Sequence, residues 1–194
     1  MDIVKTLNLK NQKTLEIVHH ENPESPREDD NITTMLCFHN NYYLGDKDLT
    51  YDKEAYNNWD ELYADIMKEE RPLVIKPLYM YDHSGITINT TGFSCKWDSG
   101  QIGYVWISPS TIDEMGTVIK DDETWIEYMK RLEGYLDGDV KVYDDYVRGD
   151  VYGFRIMNKE GEEEDSCWGF FGNDFRENGL YDHVGKDLEN IDDL

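Results

Sequence analysis

Apolar positions recur along this chain in two rhythms, every second residue in some stretches and every third or fourth in others, and each rhythm predicts an element. Leu15 to His20 (Leu-Glu-Ile-Val-His-His) reads as a strand. The Pro23 to Pro26 segment behind it reads as an extended loop, because each proline disfavours helix in its predecessor. A second strand is expected over about Ile32 to His39. Trp59, Leu62, Tyr63, Ile66 and Met67 then fall at i, i+3, i+4, i+7 and i+8, a helical stripe over Trp59 to Glu69 that Arg71-Pro72 stops. Leu73 to Tyr81, Gly85 to Thr90 and Gln101 to Ser108 read as strands, with Asp98-Ser99-Gly100 as a turn before the last, and together they suggest a three-stranded meander.

The strongest helical pattern covers residues 121–148. At 100° per residue, Trp125, Met129, Leu132, Leu136, Val140, Tyr143, Tyr146 and Val147 fall within an arc about 120° wide, and that arc is assigned to the core. The opposite arc collects Glu123, Glu127, Glu133, Asp137, Asp144 and Asp145, with Lys130, Lys141 and Arg148 among them, so carboxylates are expected to line the exposed face. Gly134 and Gly138 each weaken a helix by about 1 kcal/mol against alanine, and Asp139 lands on the apolar arc, so a kink or break is expected there. Beyond Gly149, Val151 to Met157 pairs by pattern with Asp165 to Phe171 across Asn158-Lys159-Glu160-Gly161. The turn of this hairpin runs on into Glu162, Glu163 and Glu164, giving an acidic tip. Leu180, Val184, Leu188 and Ile191 predict a short C-terminal helix carrying Asp187, Glu189, Asp192 and Asp193. The expected architecture is α+β, one domain over residues 1–194 in which an antiparallel sheet is packed by two or three helices.

Charge changes the picture. The 194 residues carry 42 acidic and 19 basic side chains, a net of −23, while 13% of the chain is aromatic. A disordered acidic tail is poor in aromatics and gathers its charge in one block, whereas these carboxylates are spread from end to end. The charge therefore belongs on the surface of a folded protein. Such a field repels nucleic acid and anionic lipid and attracts proteins with basic working surfaces. Solubility alone is served by a net charge of about 2–8 on a small domain, and larger values bring self-repulsion. The apolar runs are too short to span a bilayer and the N-terminus has no signal-peptide pattern, so a cytoplasmic protein is expected. Cys37, Cys95 and Cys167 are odd in number and widely spaced, which fits reduced, structural thiols.

Catalytic and metal chemistry find little support in the spacing. Tyr81-Asp82-His83-Ser84-Gly85 contains the residue types of a hydrolytic triad, but neighbours on a strand point to opposite faces and cannot relay a proton among themselves. Within this reading the best nucleophile and base would be Cys95 with His83 or His39. The cysteines and histidines lack the Cys-x-x-Cys and His-x-x-x-His spacings of zinc sites, and Asp137-Gly138-Asp139 lacks the glycine and terminal glutamate of a calcium loop. No phosphate-binding glycine loop is present. No metal or cofactor is expected. The five Trp and 14 Tyr residues are mostly core material, with Tyr42, Tyr43 or Tyr56 as possible interface anchors.

Three stretches, Ser25 to Asp46 (SPREDDNITTMLCFHNNYYLGD), Tyr81 to Ser108 (YDHSGITINTTGFSCKWDSGQIGYVWIS), and Tyr143 to Phe154 (YDDYVRGDVYGF) with Asp165 to Gly172 (DSCWGFFG), resemble a family of proteins carried by phages and mobile elements of Gram-positive bacteria. That resemblance implies a gene on mobile DNA, where small acidic proteins block host restriction or CRISPR enzymes.

Helical carboxylates one turn apart lie about 5–6 Å from one another, comparable to successive phosphates on a nucleic-acid strand, so a rigid row of them can occupy a phosphate-binding groove. The expected function is therefore an anti-CRISPR or antirestriction inhibitor, not an enzyme. It would bind a basic CRISPR effector nuclease or restriction enzyme, and neither nucleic acid nor membrane directly. The expected contacts are Glu123, Glu127, Glu133, Asp137, Asp144 and Asp145 with Glu162, Glu163, Glu164 and Asp165. The alternatives are a small hydrolase using Cys95, His83 and Asp82, and a structural or regulatory phage protein whose charge serves only solubility.

Overall fold

The computed structural model describes residues 2–188. Its strands and helices in chain order are β1 (Ile3–Leu9), β2 (Lys13–His19), β3 (Thr34–Cys37), α1 (Trp59–Glu69), β4 (Val74–Asp82), β5 (Ile86–Asn89), β6 (Ser99–Ile107), α2 (Pro109–Met115), α3 (Trp125–Arg148), β7 (Val151–Met157), β8 (Glu163–Phe171) and α4 (Leu180–Val184). The class is α+β, and the strands divide between two antiparallel four-stranded sheets where the pattern suggested one. The described chain groups into two compact units, a terminal unit of residues 2–25 with 145–188 and a central unit of residues 26–144.

In the terminal unit the sheet runs β1-β2-β7-β8. Alternation sets its faces: Leu7 lies opposite Leu15, and Ile17 opposite Phe154, in register. These side chains enter a cluster with Leu9, Tyr152, Phe170, Phe175, Leu180 and Val184. Burying each large apolar side chain contributes about 1.5–3 kcal/mol, so this cluster is what holds the unit together. One residue along each strand, the polar partners appear, with Glu16 opposite Arg155 and joined to it at 2.5 Å. Gly153 is dictated by packing, because a Cβ there would sit 2.2 Å from Cε3 of Trp168.

In the central unit the sheet runs β3-β6-β4-β5. β4 and β5 form a hairpin, and β6 returns to the other edge of β4, so the three strands are not the meander their sequence order suggested. Ser99 and Gly100 belong to β6 itself and not to a turn before it. Helix α1 has the expected bounds. Asn58 caps it by accepting from the Glu61 amide at 3.0 Å, Asp60 and Glu61 sit in its positive first turn, and Leu62 and Ile66 are its buried stripe. Those two pack with Leu36, Tyr104, Trp106 and Ile75. Because Ile75 faces α1, Lys76 faces the other side of the sheet, where its ammonium meets Asp137 of α3 at 2.7 Å.

Helix α3 runs unbroken for 24 residues, through Gly134 and Gly138. The expected kink does not form because Asp139, the acid on the apolar side, has partners there: Thr33 Oγ1 donates to it at 2.7 Å and Arg27 lies at 3.9 Å. The helix also starts at Trp125 and not at residue 121, leaving Trp125 on the surface while Tyr128 takes the buried place. Two elements, β1 and α2, are not among those the pattern predicts. The latter is fixed by Ser108, whose hydroxyl accepts from the Thr111 amide at 3.3 Å while Thr111 Oγ1 accepts from the Ser108 amide at 3.2 Å. At the C-terminal end α4 stops at Val184, a 3-10 turn carries the chain through Asp187, and Leu188 bridges to Leu9. Glu189, Ile191, Asp192 and Asp193 of the expected longer helix lie outside the described residues.

Candidate interaction surfaces and an acid-lined aromatic cleft

The carboxylates expected to form one exposed row on α3 do different jobs. Glu123 accepts from Nε and Nη2 of Arg131 at 2.7 and 2.6 Å, and those hydrogen bonds draw its carboxyl down to about 2. Glu127 closes a capping box with Thr124, accepting from its amide at 2.9 Å and its hydroxyl at 2.7 Å, which lowers the Glu127 carboxyl as well. Asp144 accepts from Thr87 Oγ1 and from the Ile88 amide, both at 2.7 Å. Since β5 is a sheet edge with outward amides in need of acceptors, Asp144 is drawn into the structure and away from the solvent row. Asp145 is buried, with 7% of its surface accessible. Periodicity ranks residues by polarity and so places Asp144 and Asp145 on the solvent arc, with no record of the Thr87 and Ile88 donors that face Asp144 or of the burial of Asp145. Of these carboxylates, α3 presents Glu127, Glu133 and Asp137 to solvent, the last also bound to Lys76.

Immediately before these, the end of α2 exposes Met115, the α2–α3 connection exposes Val118 and Ile119, and the first turn of α3 exposes Trp125 and Ile126. Asp113, Glu114, Asp121 and Asp122 are exposed in the same segment with a single lysine, Lys120. This apolar group bordered by acids departs from the pattern, which places Trp125 in the core, because α3 begins only at Trp125 and leaves that side chain exposed. In the terminal unit the β7–β8 tip is as acidic as expected, with Glu162, Glu163, Glu164 and Asp165 all exposed. Asn158 organises the turn by accepting from the amides of Glu160 and Glu162 at 3.0 and 2.8 Å, and Lys13 pairs with Glu164.

The three residues considered for hydrolysis do not assemble into a nucleophile and base. Cys95 Sγ donates to Asp98 Oδ2 at 3.6 Å, and His83 Nδ1 lies 3.4 Å from the same oxygen. A carboxylate thus stands where general-base activation needs an imidazole on the thiol. Asp82 instead accepts from the Tyr42 hydroxyl at 3.1 Å, which pushes that phenol upward. Cys37 is half-buried, and desolvation raises its thiol. Among the described residues no group of three or more His, Cys, Asp or Glu side chains is placed to hold a metal ion. Of the three candidate anchor tyrosines, Tyr43 is fully exposed, while Tyr42 and Tyr56 are half-buried and bound to Asp82 and Asp65.

The central unit also holds an open cleft of about 480 Å³ whose walls include Phe38, Trp59, Trp97, Asp82, Asp98 and Lys53. Trp59 stacks on Phe38 with centroids 6.4 Å apart, and Trp97 stands almost wholly in solvent at 96% exposure. The amide of Asp82 donates to the Asp98 carbonyl at 2.8 Å, which makes the two aspartates neighbours although 16 positions separate them. No periodicity could have revealed this site, since its walls come from five separate stretches of chain, around residues 38–40, 53, 59, 80–82 and 97–102.

Together these features define an acidic α+β protein that exposes acid-bordered apolar and aromatic groups. The chain matches no protein-family model, no curated protein and no solved structure. Among the described residues no helix is long and apolar enough to cross a membrane.

Proposed function

We propose that this protein is an inhibitor carried by a phage or mobile element, acting in the host bacterial cytoplasm on a nucleic-acid-handling defence enzyme of the restriction or CRISPR type. The observation that supports this most is the carboxylate surplus. Even if each of the 19 basic side chains were neutralised by one carboxylate, 23 carboxylates would remain. Internal pairing therefore leaves a large negative field, and a basic nucleic-acid groove is the protein surface best matched to it.

Glu123, Asp144 and Asp145 are committed to internal bonds or burial, so the contacts fall to Glu127, Glu133 and Asp137 in the central unit and to Glu162, Glu163, Glu164 and Asp165 in the terminal unit. Glu133 and Asp137 are one helical turn apart, the spacing at which carboxylates stand in for neighbouring phosphates. Association through such groups is steered by charge and weakens as salt screens it.

The test is capture of partners from a Gram-positive lysate on the immobilised protein, with elution by duplex DNA. Recovery of one restriction or CRISPR nuclease, released by DNA and inhibited in cleavage assays by the pure protein, is the expected result. Reversing charge at Glu133, Glu162 and Glu163 together, which spares the Glu127 cap and the Asp137 ion pair, should then weaken inhibition at least ten-fold without changing the far-UV spectrum. Recovery of only scattered basic proteins, none of them inhibited, would overturn the reading.

A further inference from the structure

The acid-lined cleft plays no part in a simple decoy, yet its walls have a specific chemistry. Its volume of about 480 Å³ lies within the roughly 300–1,000 Å³ typical of ligand sites. Trp97 holds its indole in water at the rim, a large apolar face that its own fold leaves uncovered. Asp82 accepts from Tyr42, and Asp98 accepts from Cys95 with His83 alongside. Each carboxylate has about four lone-pair sites, so both keep acceptor capacity beyond these bonds. The lysine on the wall, Lys53, already donates to Asn40 Oδ1 at 2.9 Å.

An anion is disfavoured here by the two carboxylates and by the field of the whole chain. A planar cation fits better. A guanidinium stacks on an indole face and donates to a carboxylate in a fork, whereas an ammonium is a compact, strongly hydrated point charge that gains less from a flat ring.

We propose that this cleft receives an arginine side chain of a protein partner, with the guanidinium against Trp97 and hydrogen-bonded to Asp98 or Asp82. The partner is the basic enzyme of the preceding reading, and the inference rests on that reading for the partner's identity. It adds a specific anchor to an attraction that is otherwise long-range and unselective. Arginine is one of the residues that dominate interface energies, and a concave site beside an exposed tryptophan is a suitable receptor for it.

The experiment titrates the isotopically labelled full chain with an acetylated, amidated Gly-Arg-Gly tripeptide, read by amide and indole NMR. Peptides with lysine or citrulline at the centre serve as controls. Concentrations reach about 10 mM, above the roughly millimolar affinity of a single side-chain contact. The arginine peptide should shift the Trp97 indole and the amides of residues 97–101 saturably. The lysine peptide should bind at least several-fold more weakly there, and citrulline not at all. Trp97→Ala and Asp98→Asn should each lower arginine affinity several-fold, and since Trp97 is solvent-exposed the alanine variant keeps its core. Equal binding of citrulline, or shifts spread over the acidic surface with none focused on the cleft, would overturn the proposal. Absence of cleft shifts alongside successful capture of a defence nuclease removes the cleft and leaves the inhibitor reading standing. Focused arginine binding with no such nuclease recovered does the reverse.

Discussion

Arg27 reaches Asp46 through Nε at 2.7 Å and Nη2 at 3.1 Å and donates to the hydroxyl and carbonyl of Thr33, with its side chain only 3% exposed. Asp46 in turn accepts from the Met35 amide at 2.8 Å, so the pair pins the start of β3. A charge this buried is tolerable only while it is fully partnered, and removing one member leaves the other desolvated and alone. Asp46→Ala should therefore lower the unfolding free energy by about 3–5 kcal/mol in urea titrations; a loss below 1 kcal/mol would show that Thr33 and Asp139 suffice for Arg27. Glu123 makes a pH-dependent case. Its Arg131 hydrogen bonds place the folded carboxyl near 2 against an ordinary 4.5, so the unfolded chain takes up the proton first on acidification. The resulting stabilisation is complete above about 4.5 and disappears as pH falls toward 2. The melting temperature of the native chain should exceed that of Glu123→Gln at neutral pH, and the gap should close across that acid window. A gap that persists at pH 2 would assign it to packing and not to the charge. Neither network was legible in the sequence, because Arg27 and Asp46 are separated by 19 positions and Asp139 by far more, and no pattern records which donor an acid will meet.

Elements were legible where one rhythm decided them and illegible where a partner did. The 59–69 helix follows from its stripe and the Arg71-Pro72 stop, and the β7–β8 hairpin from alternation, although β8 begins at Glu163, two residues before the expected Asp165. β1 was overlooked because Ile3 and Val4 break the alternation that Leu7 and Leu9 resume, and the pairing with β2 absorbs this as an irregularity between Ile3 and Lys5. The order β6-β4-β5 could not be read because alternation states which face a side chain takes and not which edge of β4 receives the next strand. Gly103 records that choice after the fact: a Cβ there would lie 1.8 Å from the Leu36 carbonyl oxygen, so glycine lets β3 approach β6. In α3 the two glycines have no such role, since nothing lies within 4 Å of a Cβ at Gly134 or Gly138 and the helix passes through both unbroken. Gly134→Ala and Gly138→Ala should each stabilise the protein by about 0.5–1 kcal/mol through helix propensity and reduced unfolded-state freedom. Thermal or urea unfolding checks this. Destabilisation by either change would mean that α3 bends there in solution and uses its glycines to do so.

At the scale of the whole molecule, charge acts on folding and on binding with opposite salt dependence, and that opposition separates a functional acidic surface from one that merely keeps the chain in solution. A net charge of −23 makes the folded state repel itself, and added salt should relieve this by shortening the screening length from about 14 Å at 0.05 M to about 4 Å at 0.5 M. The melting temperature should therefore rise over that range. Partner affinity should fall over the same range if surface carboxylates replace phosphates in a basic groove, because the attraction being screened is now intermolecular. An arginine seated in the cleft against Trp97 would be less sensitive, since a partly desolvated, stacked contact is screened less than two charges in open solvent. Three parallel measurements make the comparison: melting temperature, affinity of the native chain for the captured partner, and affinity of the Glu133, Glu162 and Glu163 charge-reversal variant for the same partner. Rising stability, falling native affinity, and a variant with weaker binding but a shallower salt slope is the expected set. An affinity that does not change with salt would remove the electrostatic decoy and place recognition in the apolar group around Trp125 and Ile126 or in the aromatic cleft.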